Sequence, residues 1–62
     1  METVTVHLEL PDDLAWALAQ LVKRIGFSDC RQLAVSEEEA WQMIHATEAV
    51  RAALARVGYA PR

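Results

Sequence analysis

Two histidines and one cysteine are the side chains of this 62-residue chain best suited to chemistry. His45 and Glu48 are three positions apart and would share a helix face, a spacing that is usually a solvated surface pair rather than a proton-transfer pair. His7, Cys30 and His45 could ligate a metal only if three distant segments converged without a ligand-spacing motif. We therefore predict no catalytic, metal or cofactor site, and we expect Cys30 to be a small buried apolar residue.

The two tryptophans are the better candidates, for binding a partner rather than for catalysis. Both fall outside the apolar stripes of their predicted helices, and large aromatics outside a core are typical interface anchors. The alternative is that each packs beneath a neighbouring element. The predicted partner-binding residues combine them with nearby acids: Asp12, Asp13, Trp16, Glu37, Glu38, Glu39 and Trp41.

The charge of the chain is unevenly distributed. Residues 1–40 hold eight acids against three bases, a net −5, whereas residues 41–62 hold one acid against three bases, a net +2. This balance argues against general nucleic-acid binding, which favours a basic protein, and is compatible with docking on a basic surface. The alternative is that the acids serve to cap helices.

The elements that must position these residues begin with residues 3–10, where polar and apolar side chains alternate. The apolar side consists of Val4, Val6, Leu8 and Leu10, and the polar side of Thr3, Thr5, His7 and Glu9. This period of two predicts a half-buried strand. A single strand must pair with a weaker internal segment or with another molecule.

Helices are predicted for most of the remaining chain. Pro11 with Asp12 or Asp13 favours a helix over residues 12–25, which Gly26 would end in a left-handed conformation. Ser28 could then cap a short helix over residues 29–34. The alternative is a strand over residues 30–35, but only one residue there is β-branched, which favours the short helix.

A second long helix begins with a capping box at Ser36-Glu37-Glu38-Glu39 and should run to about residue 57, before Gly58. The expected fold is one small α+β domain, 1–62, with an N-terminal strand and two main helices joined by the short segment. Its predicted core is Val4, Val6, Leu8, Leu10, Leu14, Leu18, Leu21, Ile25, Leu33, Met43, Val50 and Leu54.

The apolar runs and the single cysteine of the chain indicate its cellular compartment. No apolar run is long enough for a membrane span, and no signal peptide is recognisable. A lone thiol fits a reducing compartment. We therefore expect a complete, cytoplasmic protein without a membrane partner.

Residues 4–33 resemble the ribbon-helix-helix repressors and antitoxins, through the strand, Leu10-Pro11-Asp12-Asp13-Leu14 and Gly26-Phe27-Ser28. The resemblance implies a strand-paired homodimer whose outward residues Thr5, His7 and Glu9 read DNA in the major groove. The strand carries no Lys or Arg, and Ser36 restarts a helix where the family's second helix should continue.

The segments Arg24-Ile-Gly-Phe27 and 34–62 look like short proteins carried by proteobacterial plasmids and phages, a class that includes anti-CRISPR proteins. This resemblance implies a non-enzymatic inhibitor that binds a type I CRISPR effector subunit. Its carboxylates would imitate DNA phosphates and block DNA binding. The chain could be a monomer or a strand-paired homodimer: a monomer would favour the inhibitor and a homodimer would favour DNA reading. We take inhibition as the first hypothesis and DNA reading as the alternative.

Overall fold

The computed structural model describes residues 2–62 and contains three helices: α1 (Asp12–Arg24), α2 (Phe27–Leu33) and α3 (Glu37–Arg56). The long helix α3 packs against both α1 and α2. Residues 2–62 include no β-strand, so the prediction of an α+β fold with an N-terminal strand is wrong. The fold of the described residues is therefore of the all-α class.

The predicted strand fails because it has nothing to pair with inside the chain. Residues 2–10 form no helix or strand and make no backbone–backbone hydrogen bond within the described residues. A strand exists only when a neighbouring strand satisfies its amides and carbonyls. The internal candidate, residues 30–35, begins inside α2, so the short-helix alternative is confirmed.

The turn between α1 and α2 is tighter than predicted. The start of α1 at Asp12 is confirmed, but the helix ends at Arg24, and Ile25 is already extended. Gly26 is also extended, with φ −121°, rather than left-handed. Its N–H donates to Asp29 Oδ2 at 2.8 Å, so Gly26 caps α2 and Ser28 lies inside the helix.

The capping box of α3 is confirmed in its first half. The Glu39 N–H donates to Ser36 Oγ at 3.1 Å. The Glu39 carboxylate accepts from the Val35 N–H at 2.9 Å, one residue before the predicted amide of Ser36. The helix ends at Arg56, and Gly58 adopts the left-handed conformation expected of a helix stop, with φ +98°.

The core is smaller than predicted and consists of small residues. The buried apolar side chains of the described chain are Ala15, Ala19, Val22, Cys30 and Ala40. The burial of Cys30 is confirmed. Small side chains let helices approach closely, and they leave little volume for large ones.

None of the twelve predicted core residues is fully buried. On α1 the buried stripe is displaced by one position from the predicted one, since Ala15, Ala19 and Val22 face inward instead of Leu14, Leu18 and Leu21. The half-buried members of the predicted core are Leu10, Leu18, Ile25, Met43 and Leu54. The exposed members are Val4, Val6, Leu8, Leu14, Leu21, Leu33 and Val50.

No helix within residues 2–62 has both the length and the apolar character required to cross a bilayer.

Candidate interaction surfaces

An aromatic stack joins α2 to the first turns of α3. The rings of Phe27 and Trp41 lie 4.3 Å apart between centroids, and Trp41 also meets the edge of His45 at 6.3 Å. Trp41 nevertheless remains 50% exposed. The prediction that Trp41 lies outside the core is therefore confirmed, while its packing against Phe27 fixes it in place.

Two carboxylates lie beside this stack. Glu37 and Glu38 occupy the first turn of α3 and are exposed, and neither makes a side-chain hydrogen bond or ion pair with another described residue. Glu39 differs, because its carboxylate is engaged by the Val35 amide. We call Phe27, Glu37, Glu38 and Trp41 the acidic–aromatic surface.

The second tryptophan belongs to a separate cluster at the other end of α3. Trp16 on α1 is 40% exposed and packs against Tyr59, with ring centroids 4.8 Å apart. The Tyr59 hydroxyl donates to Asp12 Oδ1 at 2.6 Å. Asp13 accepts from the neighbouring Leu14 N–H at 2.9 Å, so both acids of this turn already have local roles.

The hydrogen bond to Asp12 raises the pKa of Tyr59 above the ordinary 10.0, with desolvation and the charge of Asp12 as smaller causes. Deprotonation of Tyr59 would remove the donated proton and place two negative oxygens side by side. The C-terminal residues also contact α1, because Lys23 Nζ donates to the carbonyl oxygen of Arg62. The chain after Gly58 is thus fastened to α1 by polar contacts.

The predicted partner-binding residues do not form one surface. Asp12, Asp13 and Trp16 lie with Tyr59, which follows the C-terminal end of α3, whereas Glu37, Glu38, Glu39 and Trp41 lie at its N-terminal end. The 15 residues from Trp41 to Arg56 correspond to roughly 22 Å of helix axis. A compact partner would therefore contact one group or the other.

The proposed DNA-reading residues are all exposed. Thr5, His7 and Glu9 lie on the extended segment, and His7 Nε2 is 3.7 Å from Glu9 Oε2, with both side chains open to solvent. Because the two groups are exposed, this pair contributes little to stability.

The remaining residues that could do chemistry do not converge. Cys30 is buried, and no ion pair joins His45 to Glu48 within residues 2–62. Over the same residues, no three His, Cys, Asp or Glu side chains come together as a metal site.

An apolar groove runs between the extended segment and the helices. Its volume is about 650 Å³, and its residues come from the segment, α1, the C-terminal half of α3 and Tyr59. The large apolar side chains along it include Val6, Leu8, Leu18, Val50, Leu54 and Val57. We call it the N-terminal groove.

Sequence reasoning missed Phe27, Tyr59 and this groove. The sequence predicted Gly58 as a helix stop. The left-handed turn at Gly58 reverses the chain, and this turn could have predicted that Tyr59 lies near α1. Phe27 carries no comparable signal, because its stacking on Trp41 depends on the angle between α2 and α3. The groove depends on the exposed positions of Val50 and Val57.

One family model covers the whole chain. The chain belongs to the family of unknown function DUF7706, whose model matches residues 1–62. Neither the curated proteins nor the solved structures contain a match.

Proposed function

We propose that this protein is a non-enzymatic inhibitor that acts by stoichiometric binding to a larger protein. The observation that carries the proposal is the acidic–aromatic surface, where a half-exposed Trp41 stacked on Phe27 adjoins the exposed carboxylates of Glu37 and Glu38. A rigid aromatic anchor loses little entropy on binding, and flanking charges select a partner of opposite sign.

The partner that fits this surface carries a basic groove. The carboxylates of Glu37 and Glu38 would occupy positions that phosphates of DNA otherwise fill, with Trp41 as the desolvated contact. A type I CRISPR effector has such a groove, and the resemblance to short plasmid and phage proteins makes it the target that we propose. Asp12 and Asp13 are not needed in this mode, since they lie at the other end of α3.

The cytoplasm of a bacterial cell is the setting that agrees with this function. The single Cys30 has no partner for an internal disulfide and is buried as a free thiol. Reduced thiols persist in the cytosol.

The test is whether the protein prevents a purified type I effector from binding its target duplex in a gel-shift assay. Glu37→Gln/Glu38→Gln should abolish the inhibition, whereas the charge-matched control Glu2→Gln/Glu9→Gln should retain it. Glu39 is left intact because it caps α3. Circular dichroism of each variant checks the helices.

Two results would contradict the proposal. Full inhibition by the folded Glu37→Gln/Glu38→Gln variant would exclude the acidic–aromatic surface. If the native protein leaves DNA binding by the effector unchanged, the proposed target is wrong.

DNA reading is the second candidate, favoured by the outward exposure of Thr5, His7 and Glu9 on a segment that leads directly into α1. The segment 2–10 has no Lys or Arg, and such side chains supply most phosphate affinity. Anisotropy of a labelled duplex library at low salt tests it. Retained binding by a Thr5→Ala/His7→Ala variant would contradict this candidate, as would no binding by the native protein.

A further inference from the structure

The single chain leaves far more surface uncovered than a compact protein of its size. Its accessible area is 5206 Å², whereas a folded monomer of 6.9 kDa exposes about 4,000 Å². Its radius of gyration is 12.5 Å, against about 11 Å for a compact domain of this length. The excess area, roughly 1,200 Å², exceeds the 800 Å² or so that each partner buries in a stable complex.

Several of the exposed apolar side chains lie on the extended segment and along the N-terminal groove. Val4, Val6 and Leu8 are 80%, 79% and 62% exposed. Val50 and Val57, on the α3 side of the groove, are exposed as well. An exposed apolar stretch with free amides and carbonyls is a template for pairing with another chain.

We propose that a second copy of this chain covers this face, with the two extended segments lying antiparallel and hydrogen-bonded across a two-fold axis. The arrangement is self-complementary, since each copy offers both an unpaired segment and a groove. Alternation fixes the parity of the pairing, because a shift of one residue would turn Val4, Val6 and Leu8 away from the partner's groove. The polar side chains then face outward together.

Charge complementarity supports a second copy as the occupant. Arg56 lies at the groove, and residues 41–62 carry a net +2. The segment that would enter from the second copy carries Glu2 and Glu9 as its only charged side chains besides His7. Glu2 shares the parity of Val4 and Val6, so a carboxylate and the Arg56 guanidinium carry opposite signs on the groove side, whereas Glu9 faces outward with His7.

The dimer goes beyond the proposed inhibitory function and uses a different face of the molecule. Trp41 and Val50 are nine positions apart on α3, which places them about 180° apart around the helix. The acidic–aromatic surface therefore stays free in the dimer. The two proposals can fail independently, because the molar mass that tests the dimer is measured without an effector.

The test is the molar mass by light scattering over a dilution series of the full chain. The native protein should be twice 6.9 kDa. Val4→Ser/Val6→Ser should raise the dimer Kd by at least about a hundredfold, because four apolar side chains leave the interface. The matched control Thr3→Ser/Thr5→Ser introduces the same residue on the other side and should remain dimeric.

A second set of variants decides the question if Val4→Ser/Val6→Ser does not fold. A two-fold axis brings one residue of the segment opposite its own copy, so Thr5→Cys, Val6→Cys and His7→Cys are made singly. One of them should form an intermolecular disulfide under mild oxidation, while the native chain, with only its buried Cys30, should not. A native protein of 6.9 kDa at all concentrations would overturn the proposal. A dimer that none of these three cysteine variants cross-links would overturn the role of the segment.

Discussion

Two regions of the molecule differ in hydrogen bonding and in burial: the extended segment, residues 2–10, and the α2–α3 junction, residues 26–41. At the junction, Asp29 receives the Gly26 amide, and Ser36 and Glu39 satisfy the next helix start. Cys30 and Ala40 are buried there. The segment has no backbone–backbone hydrogen bond among the described residues, and its apolar side chains are exposed.

This contrast separates the contacts that the chain makes by itself from those that we propose a second copy supplies. Caps and stops act over three or four residues, so the junction forms from its own sequence. Pairing of an extended segment needs a partner at about 4.8 Å, which the single chain does not supply. Pairing with a second copy, as we propose, would use the regular alternation of the segment.

The largest effect is expected from breaking the junction with a buried charge. Ala40 is fully buried where α3 starts, so Ala40→Asp should lower the free energy of unfolding by about 3 kcal/mol or more. The control Ala52→Asp places the same charge at an exposed position of α3 and should cost less than about 1 kcal/mol. Chemical denaturation followed by circular dichroism measures both. Equal losses would show that Ala40 is not part of the core.

A smaller effect is expected from removing the cap of α3. Ser36→Ala deletes the oxygen that accepts the Glu39 amide and should cost about 1 kcal/mol of unfolding free energy. Ser28→Ala is the matched control: Ser28 lies inside α2 and caps nothing, so stability should stay within about 0.5 kcal/mol. Thermal melts of the two variants distinguish them. A larger loss of stability in Ser28→Ala than in Ser36→Ala would mean that Ser28 caps α2, as the sequence predicts.

The smallest effect is expected from removing the hydrogen bond between the Tyr59 hydroxyl and Asp12, at the start of α1. Asp12→Asn should lower the raised pKa of Tyr59 back toward 10.0, and Asp13→Asn should not, since Asp13 bonds the Leu14 amide. Tyr59 is the only tyrosine, so ultraviolet absorbance titrates it alone. An unchanged Tyr59 pKa in Asp12→Asn would exclude the hydrogen bond.

The same contact gives the pH dependence of stability a definite sign. Because the folded pKa of Tyr59 lies above its unfolded value, the contribution is fully present below pH 10. It is lost as the pH rises through the folded pKa. Tyr59→Phe should remove this alkaline loss, and unchanged alkaline unfolding in the variant would contradict it.

Local signals explain most of what the sequence could predict. The starts of α1 and α3 depend on Pro11 and on the Ser36–Glu39 box, and both helices begin where these residues indicate. The left-handed stop at Gly58 is similarly local. The prediction for Gly26 was wrong because a glycine after a helix can end that helix or cap the next one, and the choice depends on Asp29 three positions later.

The core and the candidate site were less predictable because they depend on the angles between helices. A stripe displaced by one position exchanges Leu14 and Leu18 for Ala15 and Ala19, and periodicity alone cannot separate two adjacent apolar stripes. The tryptophans were identified as lying outside the core. Their separation into clusters with Phe27 and Tyr59 required the fold.

Amide hydrogen exchange, resolved by residue at a concentration where light scattering defines the mass, tests the central claim most directly. We predict that alternate amides of residues 4–9 are protected in the native protein, because every second residue of the segment donates its N–H to the second copy. The α3 amides provide the internal reference for a folded helix. Exchange of residues 4–9 at the rate of an unstructured peptide, while α3 stays protected, would contradict the claim that this segment pairs between chains.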